Sequence, residues 1–166
     1  MLIREAKKNE FYLLKEQRLF SYQPYEEVLS PEHWEMLKSN LASTNDHQPG
    51  VEVFVAEIDG HIAGSVVLFP AESKAYEWDT ETIEYPEIRL LAVSADFRSR
   101  GVGKALVEHC IDISKIRRQK FVGLHTGSFM ENAISLYEKM GFQRVAPLDF
   151  TPLDDGVVVQ AFRLNI

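Results

Sequence analysis

The sequence holds a single cysteine, Cys110, so no internal disulfide can form, a usage that fits a reducing, cytoplasmic setting. No apolar run approaches the ~20 residues that a membrane-spanning helix requires. The opening stretch MLIREAKKNE lacks the apolar core of a secretory leader. Cations are in the minority, with 18 Lys and Arg against 25 Asp and Glu, a net charge of −7 over 166 residues. That balance excludes a broad phosphate-neutralising face, so neither nucleic acid nor a membrane is an expected partner. The five histidines are scattered and the cysteine stands alone, so no metal-ligand spacing is visible and no metal is expected. No internal repeat or low-complexity tract is present. What remains is 45 % hydrophobic and 26 % charged, ordinary globular composition at a length that suits one domain over residues 1–166.

Hydrophobic periodicity sets the element order. LIREA reads as a first strand, and residues 7 to 20 carry Phe11, Leu14, Leu19 and Phe20 at loosely helical spacing. Ser30 before Pro31 predicts a second helix running to about Ala42, with serine as N-cap and proline in the first turn. VEVFVAEI alternates as a strand does, Asp59-Gly60 tolerates the positive φ of a two-residue hairpin, and HIAGSVVLF returns as its partner. EIRLLAV, from Glu87, is apolar enough to be buried on both faces. Val102, Leu106, Cys110 and Ile113 form a helical stripe, FVGLHTG a strand, and Phe129, Ala133, Leu136, Tyr137 and Met140 a second stripe closed by Gly141. FQRVA and VVVQAFRLN close the chain as antiparallel strands. The order β-α-α-β-β-β-α-β-α-β-β predicts an α/β (α+β) fold, a mixed central sheet with helices on both faces.

The stretch DFRSRGVGKALVEHC breaks the acidic pattern. Arg98, Arg100 and Lys104 fall within seven residues, with Gly101 and Gly103 between them and no acid in the interval. The segment lies where a strand gives way to a helix, and the first N–H groups of a helix have no internal partner and carry the positive end of its dipole. Such a turn suits a phosphate or diphosphate. The GxGxxG fingerprint fails because position 106 is Leu, and the P-loop fails because Ala105 follows Lys104. A solvated surface turn is the plainer alternative.

EIRLLAVSADFRSRGVGKAL resembles the acyl-CoA motif of the GNAT superfamily of N-acetyltransferases. In that motif a strand ending in a small apolar tripeptide precedes (Q/R)-x-x-G-x-(G/A) at the start of a helix. NAISLYEKMGF, Asn132 to Phe142, is similar to the second family signature, and the element order agrees over essentially the whole chain. The resemblance implies a GNAT-like, mostly antiparallel sheet with a V-shaped opening between strand 87–93 and strand 121–126, holding acetyl-CoA as cosubstrate. It implies that the backbone of Leu91, Ala92 and Val93 pairs with the pantetheine arm. The amides of Arg98, Ser99, Arg100, Gly101, Val102, Gly103 and Lys104 would wrap the diphosphate.

Acetyl transfer to an amine titrating near about 10.4 profits from a base, a stabilised oxyanion and a protonated leaving thiolate. By the same resemblance Glu87 is the general-base candidate, the plainer alternative being an ion pair with Arg89. Tyr137, in LYEKMGF, is the general-acid candidate, and it also fits a buried aromatic on its helix stripe. A backbone N–H of Leu91 to Val93 would serve the oxyanion. One departure stands: Met130 occupies the position where many members carry an asparagine seven residues before the tyrosine. His125, Thr126 and Cys110 are read as satisfied or core residues. The implied reaction is direct attack of a primary amine, of a small molecule or peptide, on acetyl-CoA in a ternary complex. A non-catalytic acyl-CoA-binding module and a phosphate-binding regulatory domain are the competing readings. The connection 70–86 holds Glu72, Glu77, Asp79, Glu81 and Glu84 against Lys74, with Tyr76, Trp78 and Tyr85 interleaved. If it lines the acceptor site, a cationic amine is favoured. Association into a homodimer is left open.

Overall fold

Asp59 and Gly60 both take left-handed backbone angles, φ 51° and 79°, and turn one strand back on the next as the two-residue hairpin requires. Around that turn a computed structural model of the chain describes residues 1–74 and 82–166. Its strands are β1 (Leu2–Glu5), β2 (Glu52–Ile58), β3 (His61–Phe69), β4 (Ser73–Lys74), β5 (Thr82–Ile83), β6 (Glu87–Val93), β7 (Phe121–Gly127), β8 (Gln143–Arg144) and β9 (Val159–Asn165). Its α-helices are α1 (Phe11–Tyr22), α2 (Pro31–Leu41), α3 (Val102–Ile116) and α4 (Glu131–Lys139). Seven strands make a mixed, mostly antiparallel sheet in the order β1-β2-β3-β6-β7-β9-β8, while β4 and β5 pair with each other. β6 and β7 pair in parallel at Glu87↔Gly123 and Ile88↔Leu124, and β7 pairs antiparallel with β9 along its length.

The chain divides into two units, Met1–Leu68 with Leu90–Cys110, and Phe69–Arg89 with Ile111–Ile166. The first is built on Leu14, Trp34, Leu41, Val55, Val66, Val67, Val102, Leu106 and Val107, all buried. Removing each such aliphatic side chain from water contributes roughly 1.5–3 kcal/mol. Gly64 on β3 is required by close approach, since a Cβ there would sit 2.7 Å from the Ala92 carbonyl oxygen and 3.1 Å from Val102. Arg18, fully buried on α1, pairs with Asp46 at 2.8 Å. Ser30 caps α2 by accepting from the His33 N–H at 3.2 Å, with Pro31 in the first turn.

The second unit buries Ile88, Val122, Leu124, Tyr137, Phe142 and Phe162. Here α4 ends in a Schellman motif: the Phe142 N–H reaches Tyr137 O at 3.0 Å and the Gly141 N–H reaches Glu138 O at 3.0 Å, with Gly141 at φ 94°.

Two expectations need correction. Phe129 lies before α4, not on its stripe, and its ring occupies the space a side chain at Gly127 would need. β6 is not buried throughout: Ile88 and Ala92 are, whereas Leu90, Leu91 and Val93 are half-exposed. Leu90 adopts φ 55°, which interrupts the strand's alternation in a way that an apolar run does not encode. Residues 75–81, including Tyr76, Glu77, Trp78, Asp79 and Glu81, lie outside the described residues. No helix among the described residues is long and apolar enough to cross a membrane.

Candidate active site

The basic turn is built by two left-handed residues. A 3-10 turn over Ala95–Phe97 delivers the chain to Arg98, after which Ser99 takes φ 59° and Gly101 φ 76° before α3 begins at Val102. The first helical bond runs from the Ala105 N–H to Gly101 O at 3.0 Å. The N–H groups at the head of α3 therefore stand ahead of the intrahelical ladder. Arg98, Ser99, Arg100, Gly101 and Lys104 are exposed, while the Val102 side chain is core and only its backbone can face a ligand. Gly101 owes its identity to backbone angle, because a Cβ there would meet nothing within 4 Å. Arg98 donates to Ser21 O at 3.2 Å, which ties the turn to the end of α1. Arg100 stacks on Phe97 at 5.3 Å, and Lys104 pairs with Glu108 one helical turn on.

The backbone upstream is held from α1 as well. Tyr22 donates its hydroxyl to Leu91 O at 3.0 Å, Ser21 donates to Val93 O at 3.3 Å, and the Ala92 carbonyl turns toward Gly64. A carbonyl oxygen has two lone pairs, so these bonds position Leu91 and Val93 without exhausting them.

Glu87 opens β6 as a buried carboxylate, 2 % exposed. His125, on β7, places Nδ1 2.9 Å from Glu87 Oε1, and Arg89 Nε lies 3.4 Å from the same oxygen. The Arg89 guanidinium also stacks 4.0 Å over the Phe69 ring. His125 Nε2 sits 3.3 Å from Leu148 O. Because a carbonyl only accepts, Nε2 carries a hydrogen, and the proton on the other side of the ring is shared along the His125–Glu87 axis. Burial pushes the Glu87 carboxyl up, but the hydrogen bond to His125 and the charge of Arg89 outweigh it and leave the group below its ordinary value. Burial pulls the His125 imidazole down, and Glu87 outweighs that in turn, raising it above its ordinary value. Glu87 Oε2 is buried and has no hydrogen-bond partner among the described residues. An unsatisfied carboxylate oxygen is costly, and it is what a proton acceptor retains.

Tyr137 is buried on α4, edge to face with Phe142 at 5.9 Å. Cys110 is fully buried, and burial pushes its thiol up to about 12, the opposite of an activated nucleophile. Among the described residues, no three His, Cys, Asp or Glu side chains come together as a metal site would need.

A family model described as the acetyltransferase (GNAT) family matches residues 11–142, more than half of the chain and both segments described above. This chain belongs to the GNAT family. An uncharacterized N-acetyltransferase of Methanocaldococcus jannaschii is 34 % identical over 90 residues, covering 54 % of this chain and 38 % of that protein. N-acetyltransferase 8 of Rattus norvegicus is 28 % identical over 135 residues, covering 81 % of this chain and 58 % of that one. The chain thus spans only part of the length of these curated relatives. Among solved structures, a GNAT-family acetyltransferase from Staphylococcus aureus superposes at TM-score 0.71 with 17 % identity, covering 99 % of this chain and 98 % of that one. A GNAT-family acetyltransferase from Elizabethkingia anophelis with acetyl-CoA bound superposes at 0.61 with 20 % identity, over 99 % and 97 %. Both are likenesses of fold.

Within this GNAT fold, the turn and Glu87 are candidates marked in the sequence, whereas His125 is a candidate only through its contact with Glu87. The signal for His125 was only its period-two register on β7, and its pairing with Glu87 spans 38 residues. Both Glu87 partners share one sheet face with it, as strand alternation demands.

Proposed function

We propose that this chain is an acetyl-CoA-dependent N-acetyltransferase that passes the acetyl group to a primary amine of a small molecule or peptide by direct attack in a ternary complex. The observation that carries the reading is the buried Glu87 carboxylate, held through one oxygen by His125 and Arg89, with the other oxygen left unsatisfied. Glu87 and His125 act as one proton-accepting unit toward the amine, reached through a bridging water because the carboxylate is 2 % exposed. In the receptive state the imidazole is neutral and the carboxylate ionised. The raised His125 pKa then sets the pH above which the pair can take a proton.

The remaining roles fall to residues that the family motifs mark. The Arg98–Lys104 turn holds the diphosphate of acetyl-CoA through its amides and cations. A backbone N–H of Leu91 to Val93 receives the developing oxyanion. The Tyr137 hydroxyl donates a hydrogen bond to the leaving thiolate as charge builds on sulfur. Because a phenol is ordinarily a weaker acid than a thiol, full transfer of the proton is uphill and completes only as the phenolate is reprotonated from solvent. Structures of family neighbours with acetyl-CoA bound support that cosubstrate for this chain.

The test is free-thiol release from acetyl-CoA over a panel of primary amines. Amine-dependent release, with N-acetylated product seen by mass spectrometry, supports the reading. Acetyl-CoA binding by calorimetry with no release over the panel would favour a non-catalytic binding module.

A further inference from the structure

Glu87, Gly123 and Arg163 lie in register on adjacent strands β6, β7 and β9, so their side-chain positions share one sheet face. With neighbouring strands about 4.8 Å apart, the Glu87 and Arg163 backbones stand about 10 Å from each other. The glycine between them leaves room that the Tyr85 ring fills, so that any Cβ at position 123 would collide with Tyr85. Arg163 lays its guanidinium 4.2 Å from the Phe121 ring and 5.9 Å from the Tyr85 ring. Among the described residues it has no carboxylate partner, and it is half-exposed.

Stacking uses the flat face of a guanidinium and leaves its edge, with the N–H donors, free for a planar bidentate acceptor. The Tyr85 phenol lies in the field of both neighbours: burial raises its pKa, Arg163 pulls it down and Glu87 pushes it up. Arg89, on the same face, is already committed to Glu87 and Phe69, and His125 to Glu87 and Leu148. Arg163 is thus the one cation of this cluster that is held in place yet not neutralised.

We propose that Arg163, braced by Phe121 and Tyr85, is a carboxylate subsite beside Glu87, so that the amine acceptor is an amino acid or another amine bearing a carboxylate. The inference rests on Glu87 serving the amine, as proposed above. It runs against the preference for a cationic amine expected from the acidic connection, whose residues Glu77, Asp79 and Glu81 lie outside the described residues.

The test compares α- and ω-amino acids with their carboxamides, isosteric but neutral, as acceptors for acetyl-CoA, together with a polyamine. The wild type should favour the carboxylates in kcat/KM by about 10- to 100-fold, the size of a lost charge-assisted hydrogen bond. Arg163→Gln should bring the ratio close to one, and Arg163→Lys, which keeps charge but not the fork, should fall between. Equal rates for acid and amide, preference for the polyamine, or a ratio that survives Arg163→Gln would each overturn the subsite. Should no amine release thiol, the acetyltransferase reading fails, and calorimetry on the same acid–amide pairs decides the subsite alone. Binding of the acids that is lost in Arg163→Gln upholds it, and absence of such binding overturns it.

Discussion

Replacing Glu87 by Gln removes the negative member of a pair whose side chains are only 3 % and 7 % exposed. Its effect on stability should depend on pH in a direction fixed by the two pKa shifts. The Glu87 pKa is depressed below the ordinary 4.5, so its contribution is present above that value and is lost as pH falls through the depressed one. The His125 pKa is raised above the ordinary 6.5, so its contribution is complete below 6.5 and is lost as pH rises through the raised value. The pair stabilises most between those limits. Breaking a buried ion pair that must stay charged costs about 3–5 kcal/mol. His125 can shed its proton once Glu87 is gone, whereas Arg89, 17 % exposed and stacked on Phe69, keeps its charge at every pH. The pH-dependent part of the loss is therefore about 1–3 kcal/mol, that of a buried polar group left poorly paired. Urea unfolding of wild type and Glu87→Gln at about pH 5.5, 7 and 9 measures this. The difference should be largest at the lowest of these and shrink by the highest. A difference that is constant, or that grows with pH, refutes the assignment of a charged His125–Glu87 pair.

Other consequences follow from single contacts. Gly101→Val forces a β-branched residue to φ 76° and should cost about 1–2 kcal/mol by thermal melting while weakening acetyl-CoA binding in calorimetry. Unchanged affinity would remove the turn from the diphosphate site. Gly64→Ala places a methyl 2.7 Å from the Ala92 carbonyl and should destabilise by about 1–3 kcal/mol, with a wild-type melting temperature arguing against that close approach. Tyr137→Phe should lower kcat by about 10²–10⁴ with acetyl-CoA affinity retained, and full activity would mean that another group protonates the thiolate.

Local chemistry made most of the fold legible. Ser30-Pro31, Asp59-Gly60 and Gly141 each mark a boundary through a backbone requirement that acts within a few residues, and each is found doing so. The turn at Arg98–Lys104 was legible for the same reason, since two glycines and three cations at the head of a helix stripe are one contiguous signal. Glu87 was visible only by its place before LLAV. Its environment was not, because His125 reaches it across 38 residues of chain through the parallel pairing of β6 with β7. Arg163 was further out of reach, sitting as one polar residue in a mostly apolar closing strand, with Gly123 and Tyr85 brought beside it by sheet register. The left-handed Leu90 had no sequence mark, since leucine rarely adopts that conformation and nothing local asks for it.

The fate of the acetyl group distinguishes direct transfer from every alternative. Acetyl-CoA labelled in its acetyl carbons should be incubated with the protein in the presence and absence of a turned-over amine, and both protein and small molecules followed by mass spectrometry. Direct attack in a ternary complex predicts label in the N-acetylated amine, none on the protein, and negligible thiol release without amine. Label retained on the protein, or released as free acetate irrespective of amine, would contradict it.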